Sequence, residues 1–200
     1  MEKKKGRIET RKLVLLALLT AIVVVLQLFG SAVKFGPFSV SFVLLPIVVG
    51  AALLGTYSGG WLGLVFGLVV MFTPDVAPFL AVNPLGTVVL VVVRGIIAGL
   101  AAGAAYKLLA KRSRTGAVIV AAAVAPIVNT GLFVVGLYVF FWPLVTSWAA
   151  AAGFSSGTLA FVIFGMIGVN FLFELALNLV LSPVIVRLVQ YGQDNRGVVN

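Results

Sequence analysis

A chain of 200 residues that is 62% hydrophobic and 10% charged, with a mean hydropathy of +1.23, is excluded from the soluble globular class and reads as an integral membrane protein. It has no cysteine and no histidine, which removes disulfides, thiolate metal sites, cysteine nucleophiles and the commonest general base, so neither a metal nor a cofactor is expected. The net charge of +9 sits in clusters beside apolar stretches, where it sets topology and meets anionic headgroups of the lipid bilayer, and nucleic acid is not an expected partner.

Six apolar stretches follow in chain order, near residues 13–29, 39–55, 58–72, 84–109, 116–142 and 158–188. Each is read as a span, with ~20 residues as the usual crossing length and shorter or tilted spans allowed. Residues 1–12 form a basic segment before the first span, which contains Ala17-Leu18-Leu19-Thr20-Ala21. That A-x-x-x-A spacing puts two methyl-sized groups on one helix face, where another helix can approach closely. The apolar run of the first span exceeds the ~7–15 residues of a signal-peptide core, which disfavours cleavage. Gly30 to Pro37 separates the first two spans, and a hairpin rich in small residues, Gly50 to Gly63, joins the second to the third. The third stops at Thr73-Pro74-Asp75, and the fourth starts at Asn83-Pro84-Leu85-Gly86 and ends in Lys107, Lys111, Arg112 and Arg114. The fifth carries Asn129, and the sixth carries Asn170, Glu174 and Asn178 before a polar tail, residues 190–200. Backbone groups cannot face lipid unpaired, and no alternating barrel pattern is visible, so every span is expected to be helical. The expected fold is an all-α integral membrane protein with six transmembrane helices in one bundle over residues 13–189.

Basic residues divide unequally between the two sides of such a bundle. The amino-terminal segment holds Lys3, Lys4, Lys5, Arg7, Arg11 and Lys12, the loop after the fourth span holds four more, and Arg187 and Arg196 follow the sixth. Against these stands Lys34 alone in the opposite loops. The positive-inside rule then places both termini in the cytoplasm.

Two charges remain inside the apolar stretches, Arg94 and Glu174. An ionisable group at bilayer depth costs ~2.5–3.5 kcal/mol on insertion scales, so it marks a ligand site, a pathway or a buried partner. Asn129 falls at the same level, and Asn170 and Asn178 flank Glu174 at i−4 and i+4, on one face that has to point inward. Asn83 lies roughly 16 Å above Arg94 along the same helix, where it suits an outer vestibule. The constellation admits two readings, a locking network of Arg94 with Glu174 and the asparagines, or direct contact with a ligand. A lone glutamate makes a poor active site, and no G-x-x-x-x-G-K-[ST] phosphate loop is present, so the chain is not expected to be an enzyme. An ion-coupled secondary transporter of a small anionic metabolite, with Glu174 as proton site and Arg94 as its tuning charge, is the alternative function.

The six-span plan over about 200 residues, the Ala17 to Ala21 motif, the Gly-rich hairpin and the Asn83-Pro84-Leu85-Gly86 helix start together resemble the S components of energy-coupling factor (ECF) transporters. The resemblance implies a substrate-binding membrane subunit of a prokaryotic cell membrane that captures a vitamin from outside. It implies three protein partners, a membrane-embedded T subunit and two ATP-binding subunits that supply the energy, with Ala17 and Ala21 contacting the T subunit. It also implies a pocket closed by two loops, Gly30 to Val40 with Lys34, Phe35 and Phe38, and Thr73 to Asn83. Arg94 and Glu174, level with Asn129 and with Asn170 beside Glu174, would form its floor or the polar clasp that holds that floor in shape. Lys34 and Arg94 suit a carboxylate or phosphate and the asparagines suit hydroxyls or amides, which favours pantothenate, with riboflavin next.

Overall fold

Lipid leaves a backbone no partner outside the chain, and this chain answers with helices almost throughout. A computed structural model describes residues 2–31, 34–35, 38–39, 42–154 and 156–197, with side-chain surroundings for 10–31, 42–154 and 156–191. The elements are α1 (Glu2–Gly30), a two-residue antiparallel pair of β1 (Lys34–Phe35) and β2 (Phe38–Ser39), α2 (Leu44–Leu54) and α3 (Thr56–Val70). A 3-10 turn (Pro74–Val76) leads into α4 (Ala77–Val82), α5 (Pro84–Leu109) and α6 (Arg114–Ala151). Then come α7 (Thr158–Ala160), a π-helical stretch (Phe161–Ile167), α8 (Gly168–Val180) and α9 (Ser182–Gly197). Among the described residues, four runs are long and apolar enough to cross a membrane: Thr10–Gly30, Pro84–Leu109, Arg114–Ala151 and Thr158–Val180. A fifth results if Thr56–Val70 and Pro74–Val82, bent by 76° at their break, count as one span. Of the expected second span, 39–55, the helical part is the 11-residue α2, below the ~17 residues of a short crossing.

The hairpin of small residues is as tight as its composition implies. Gly55 alone separates α2 from α3, at φ 103°, a left-handed conformation that favours glycine. The remaining glycines of α3 serve a different contact. Gly59 and Gly63 lie backbone to backbone against Gly99 and Gly95 of antiparallel α5, and a Cβ on Gly67 would come within 2.8 Å of the Val92 Cα. Without side chains between them the two helices touch directly, so α3 and α5 form one closely packed unit.

The expected sixth span, 158–188, is broken near its end. Pro183 has no N–H to offer the Leu179 carbonyl, and α8 stops at Val180. Ser182 fills the gap by donating its hydroxyl to that carbonyl at 2.7 Å, the way serine re-satisfies a freed backbone group in an apolar medium. α6 is longer than expected, 38 residues or about 57 Å of helix, with Pro126 and Pro143 inside it.

Apolar side chains form two clusters. One gathers α1, α2, α3, the start of α6 and α9 around Leu44, Ile47, Leu62 and Phe66. The other joins α4, the middle of α6 and the π-helical stretch around Phe79, Phe133, Phe141 and Met166. The candidate site opens where the two meet.

Candidate functional site

The buried residues of α8 are Asn170, Glu174 and Asn178, while Val169, Leu172 and Val180 are exposed. This inverts the pattern of a water-soluble helix, as expected where lipid lies outside and polar partners within. The buried line begins earlier in the chain, running Val162, Met166, Asn170, Glu174, Asn178 and Ser182 in steps of four. On a regular α-helix such steps drift by about 40° each, enough over this length to carry the line around to the far side. The π-helical stretch Phe161–Ile167 takes an extra residue into its turn and offsets that drift over its own length, between Val162 and Met166. One face therefore supplies both Met166 and the polar stripe to the interior.

That face looks into an open cavity of about 780 Å³, mouth included. Gln27 of α1, Arg94 of α5, Asn129 of α6, Asn170 and Glu174 of α8, and Asp75 of the 3-10 turn supply polar groups to its wall. Phe66, Phe79 and Phe133 supply apolar surface. The Arg94 guanidinium carbon stands 4.6 Å from the Phe133 ring centroid and 6.0 Å from that of Phe66, so two π faces help hold the cation in place. Glu174 and Asp75 both bear on it electrostatically. Its Nε, the Asn129 Oδ1 and the Gln27 Oε1 are buried and have no hydrogen-bond partner among the described residues. Buried polar atoms of this kind normally hold water or ligand. Phe79 packs edge-on against Phe141 at 5.0 Å, Trp148 at 5.6 Å and Phe133 at 6.2 Å, which ties α4 to α6 beside the cavity. The chemistry on offer is one guanidinium, several amides, two carboxylates and an aromatic wall.

Four residues singled out from the sequence, Arg94, Asn129, Asn170 and Glu174, line this one cavity. Asn178 lies a turn beyond and donates from Nδ2 to the Glu174 carbonyl at 2.8 Å. Asn83 does not line the cavity. Its Oδ1 accepts from the Gly86 N–H at 2.9 Å and its carbonyl from the Thr87 hydroxyl at 2.8 Å, so the residue caps α5. A Cβ at position 86 would come within 2.7 Å of that cap. The side chains of Lys34, Phe35 and Phe38 lie outside the described residues. Ala17 and Ala21 are exposed on α1, away from the buried line of Leu19, Val23 and Gln27.

Sequence reasoning missed Gln27 and Asp75. Gln27 is an amide within an apolar span and carries the same signal as Asn129. Asp75 is the sole acidic residue between Glu9 and Glu174, but it reads as part of a turn. The aromatic wall left no signal, because nothing distinguishes three of the chain's 15 phenylalanines.

The ECF transporter substrate-specific component model matches residues 11–186 of this chain. The chain belongs to that family. It is also 27% identical, over 199 residues, to the pantothenic acid transporter PanT of Lactococcus lactis subsp. cremoris (strain MG1363), across 90% of this chain and 94% of that protein. The family match runs from α1 into α9 and takes in every cavity residue of this ECF component. It is a membrane protein of a transport family, and its role there is substrate binding.

Proposed function

We propose that the chain is the S component of a prokaryotic ECF importer for pantothenate, with six membrane-spanning segments and both termini in the cytoplasm. The observation that carries this reading is the cavity, which brings a guanidinium, three amides and an aromatic wall to one place. Pantothenate has a carboxylate, an amide and two hydroxyls on a short branched chain, and each finds a counterpart there. The similarity to a pantothenic acid transporter supports the same substrate. Arg94 binds the carboxylate through its planar fork of donors, Asn129, Asn170 and Gln27 meet the hydroxyls and the amide, and the rings cover the branched methyl groups. Lys34, Phe35 and Phe38 belong to the loop that closes over the substrate, and Glu174 holds Arg94 in position.

Energy comes from partners, a membrane-embedded T subunit and two ATP-binding subunits, and the exposed Ala17 and Ala21 form the T-subunit contact. The test is isothermal titration of the purified chain against a panel of vitamins. Pantothenate is expected to bind at submicromolar Kd, and Arg94→Ala to weaken it by about 10- to 150-fold, the equivalent of a lost charged hydrogen bond. A chain that binds riboflavin and ignores pantothenate would overturn the substrate assignment.

A further inference from the structure

Arg94 faces more negative charge than one guanidinium neutralises, because Glu174 and Asp75 line the same cavity. The two carboxylates stand on different ground. Glu174 is buried in the middle of a continuous helix, whose backbone carbonyl at that residue accepts from the Asn178 amide. Asp75 is half-buried in a single 3-10 turn at the 76° break between α3 and α4. Pro74 and Pro78 flank it and have no N–H to contribute to the turn. Glu174 is carried by a 13-residue helix and Asp75 by a three-residue turn.

A substrate carboxylate entering this cavity competes with both carboxylates for the same positive charge. Three carboxylates around one cation leave two negative charges uncompensated, which a partly desolvated site disfavours strongly. The one able to leave is Asp75. Resting on the reading of the cavity as a pantothenate site, we propose that Asp75 is a placeholder for the substrate: its attraction to Arg94 adds to the Phe79 contacts that hold α4 at the cavity, and the substrate carboxylate displaces it. Asp75 is thus a positioning residue that sets both the affinity for anionic ligands and the resting position of α4. The motion has a built-in reporter. Phe79 of α4 lies 5.6 Å from Trp148, so release of Asp75 changes the surroundings of that indole.

The test uses the full-length chain in detergent with Trp61→Phe and Trp142→Phe, which leaves Trp148 as the single tryptophan. Binding of pantothenate and of its neutral alcohol analogue is measured by titration calorimetry, and acrylamide quenching of Trp148 is measured without ligand. Asp75→Asn is expected to tighten pantothenate by about tenfold, because the competent state no longer has to be freed from an internal competitor. The alcohol analogue is expected to change less than twofold, Asp75→Glu to restore wild-type values, and ligand-free quenching to rise in Asp75→Asn. Should that variant not fold, Asp75→Ser removes the same charge and is read the same way. Pantothenate binding no tighter than wild type, or equal gains for both ligands, overturns the placeholder. Failure of the wild-type chain to bind pantothenate refutes the substrate assignment instead. The quenching arm, which needs no ligand, then decides alone, and equal quenching in wild type and Asp75→Asn overturns the hold on α4.

Discussion

Removing Arg94 asks how far the cavity's charges depend on one another. Arg94→Ala leaves Glu174 and Asp75 in the cavity wall without its cation and strips the ring of Phe133 of a partner 4.6 Å away. Breaking a fully buried ion pair from one side costs ~3–5 kcal/mol, and a half-buried arginine beside an open cavity is worth about half of that. The lost cation–π contact adds ~0.5–1 kcal/mol, which brings the expected loss to about 2–3.5 kcal/mol. At ~2–4 °C per kcal/mol for a chain of this size, the melting temperature falls by roughly 4–14 °C. Glu174→Gln keeps the shape and hydrogen bonding of the side chain and removes the charge that most needs Arg94. On the Arg94→Ala background it should therefore recover about 1–2 kcal/mol. The assay is a double-mutant cycle by thermal unfolding in detergent without substrate. Strictly additive losses would refute the coupling between the two groups, and Arg94 would then act on ligand alone.

Gly63→Ala drives a methyl group into the Gly95 carbonyl, a backbone atom that cannot rotate away, and is expected to cost about 2–3 kcal/mol in thermal melts. Gly131→Ala, where a Cβ meets nothing within 4 Å, is expected to be neutral or to stabilise by ~0.4–1 kcal/mol in the same assay. Ser182→Ala strips the Leu179 carbonyl of its 2.7 Å partner; a loss of about 1–2 kcal/mol is expected from melting, with faster amide exchange around the break. Ala17→Trp and Ala21→Trp, both on the exposed face of α1, are expected to block uptake by the assembled importer and to leave pantothenate binding by the isolated chain within about twofold. Equal loss of both would overturn the T-subunit contact.

The sequence was most informative where lipid makes polar groups costly. Arg94, Glu174, Asn129 and Asn170 stood out for that reason, and they converge on one cavity. The same argument applied to Gln27, and restricting attention to charges and asparagines hid it. Asn83 was misleading because a helix cap and a binding amide are the same residue type, and only the 2.9 Å bond to the Gly86 N–H separates them. The break after Val180 was legible in Pro183, which cannot donate to a carbonyl four residues back. The π-helical stretch was not legible. An extra residue in a turn depends on what the rest of the bundle packs against it, and composition carries no mark of that.

What the cavity rejects follows from the atoms it leaves unmet. The Arg94 Nε, Asn129 Oδ1 and Gln27 Oε1 are buried without protein partners among the described residues, and each has to be met by water or by ligand. A hydrocarbon that displaced that water would strand all three, at ~1–3 kcal/mol apiece and more for the charged one. That penalty offsets the burial of roughly 120–360 Å² of apolar surface at ~25 cal/mol per Å². Apolar lipid-like molecules, abundant around a membrane protein, are therefore expected to be disfavoured by the wall's own unsatisfied groups. On the proposed reading, a ligand with a hydroxyl, an amide and a carboxylate along a short apolar frame replaces the water bonds as it enters and still covers the rings, so the same polar atoms that disfavour lipid would select for it.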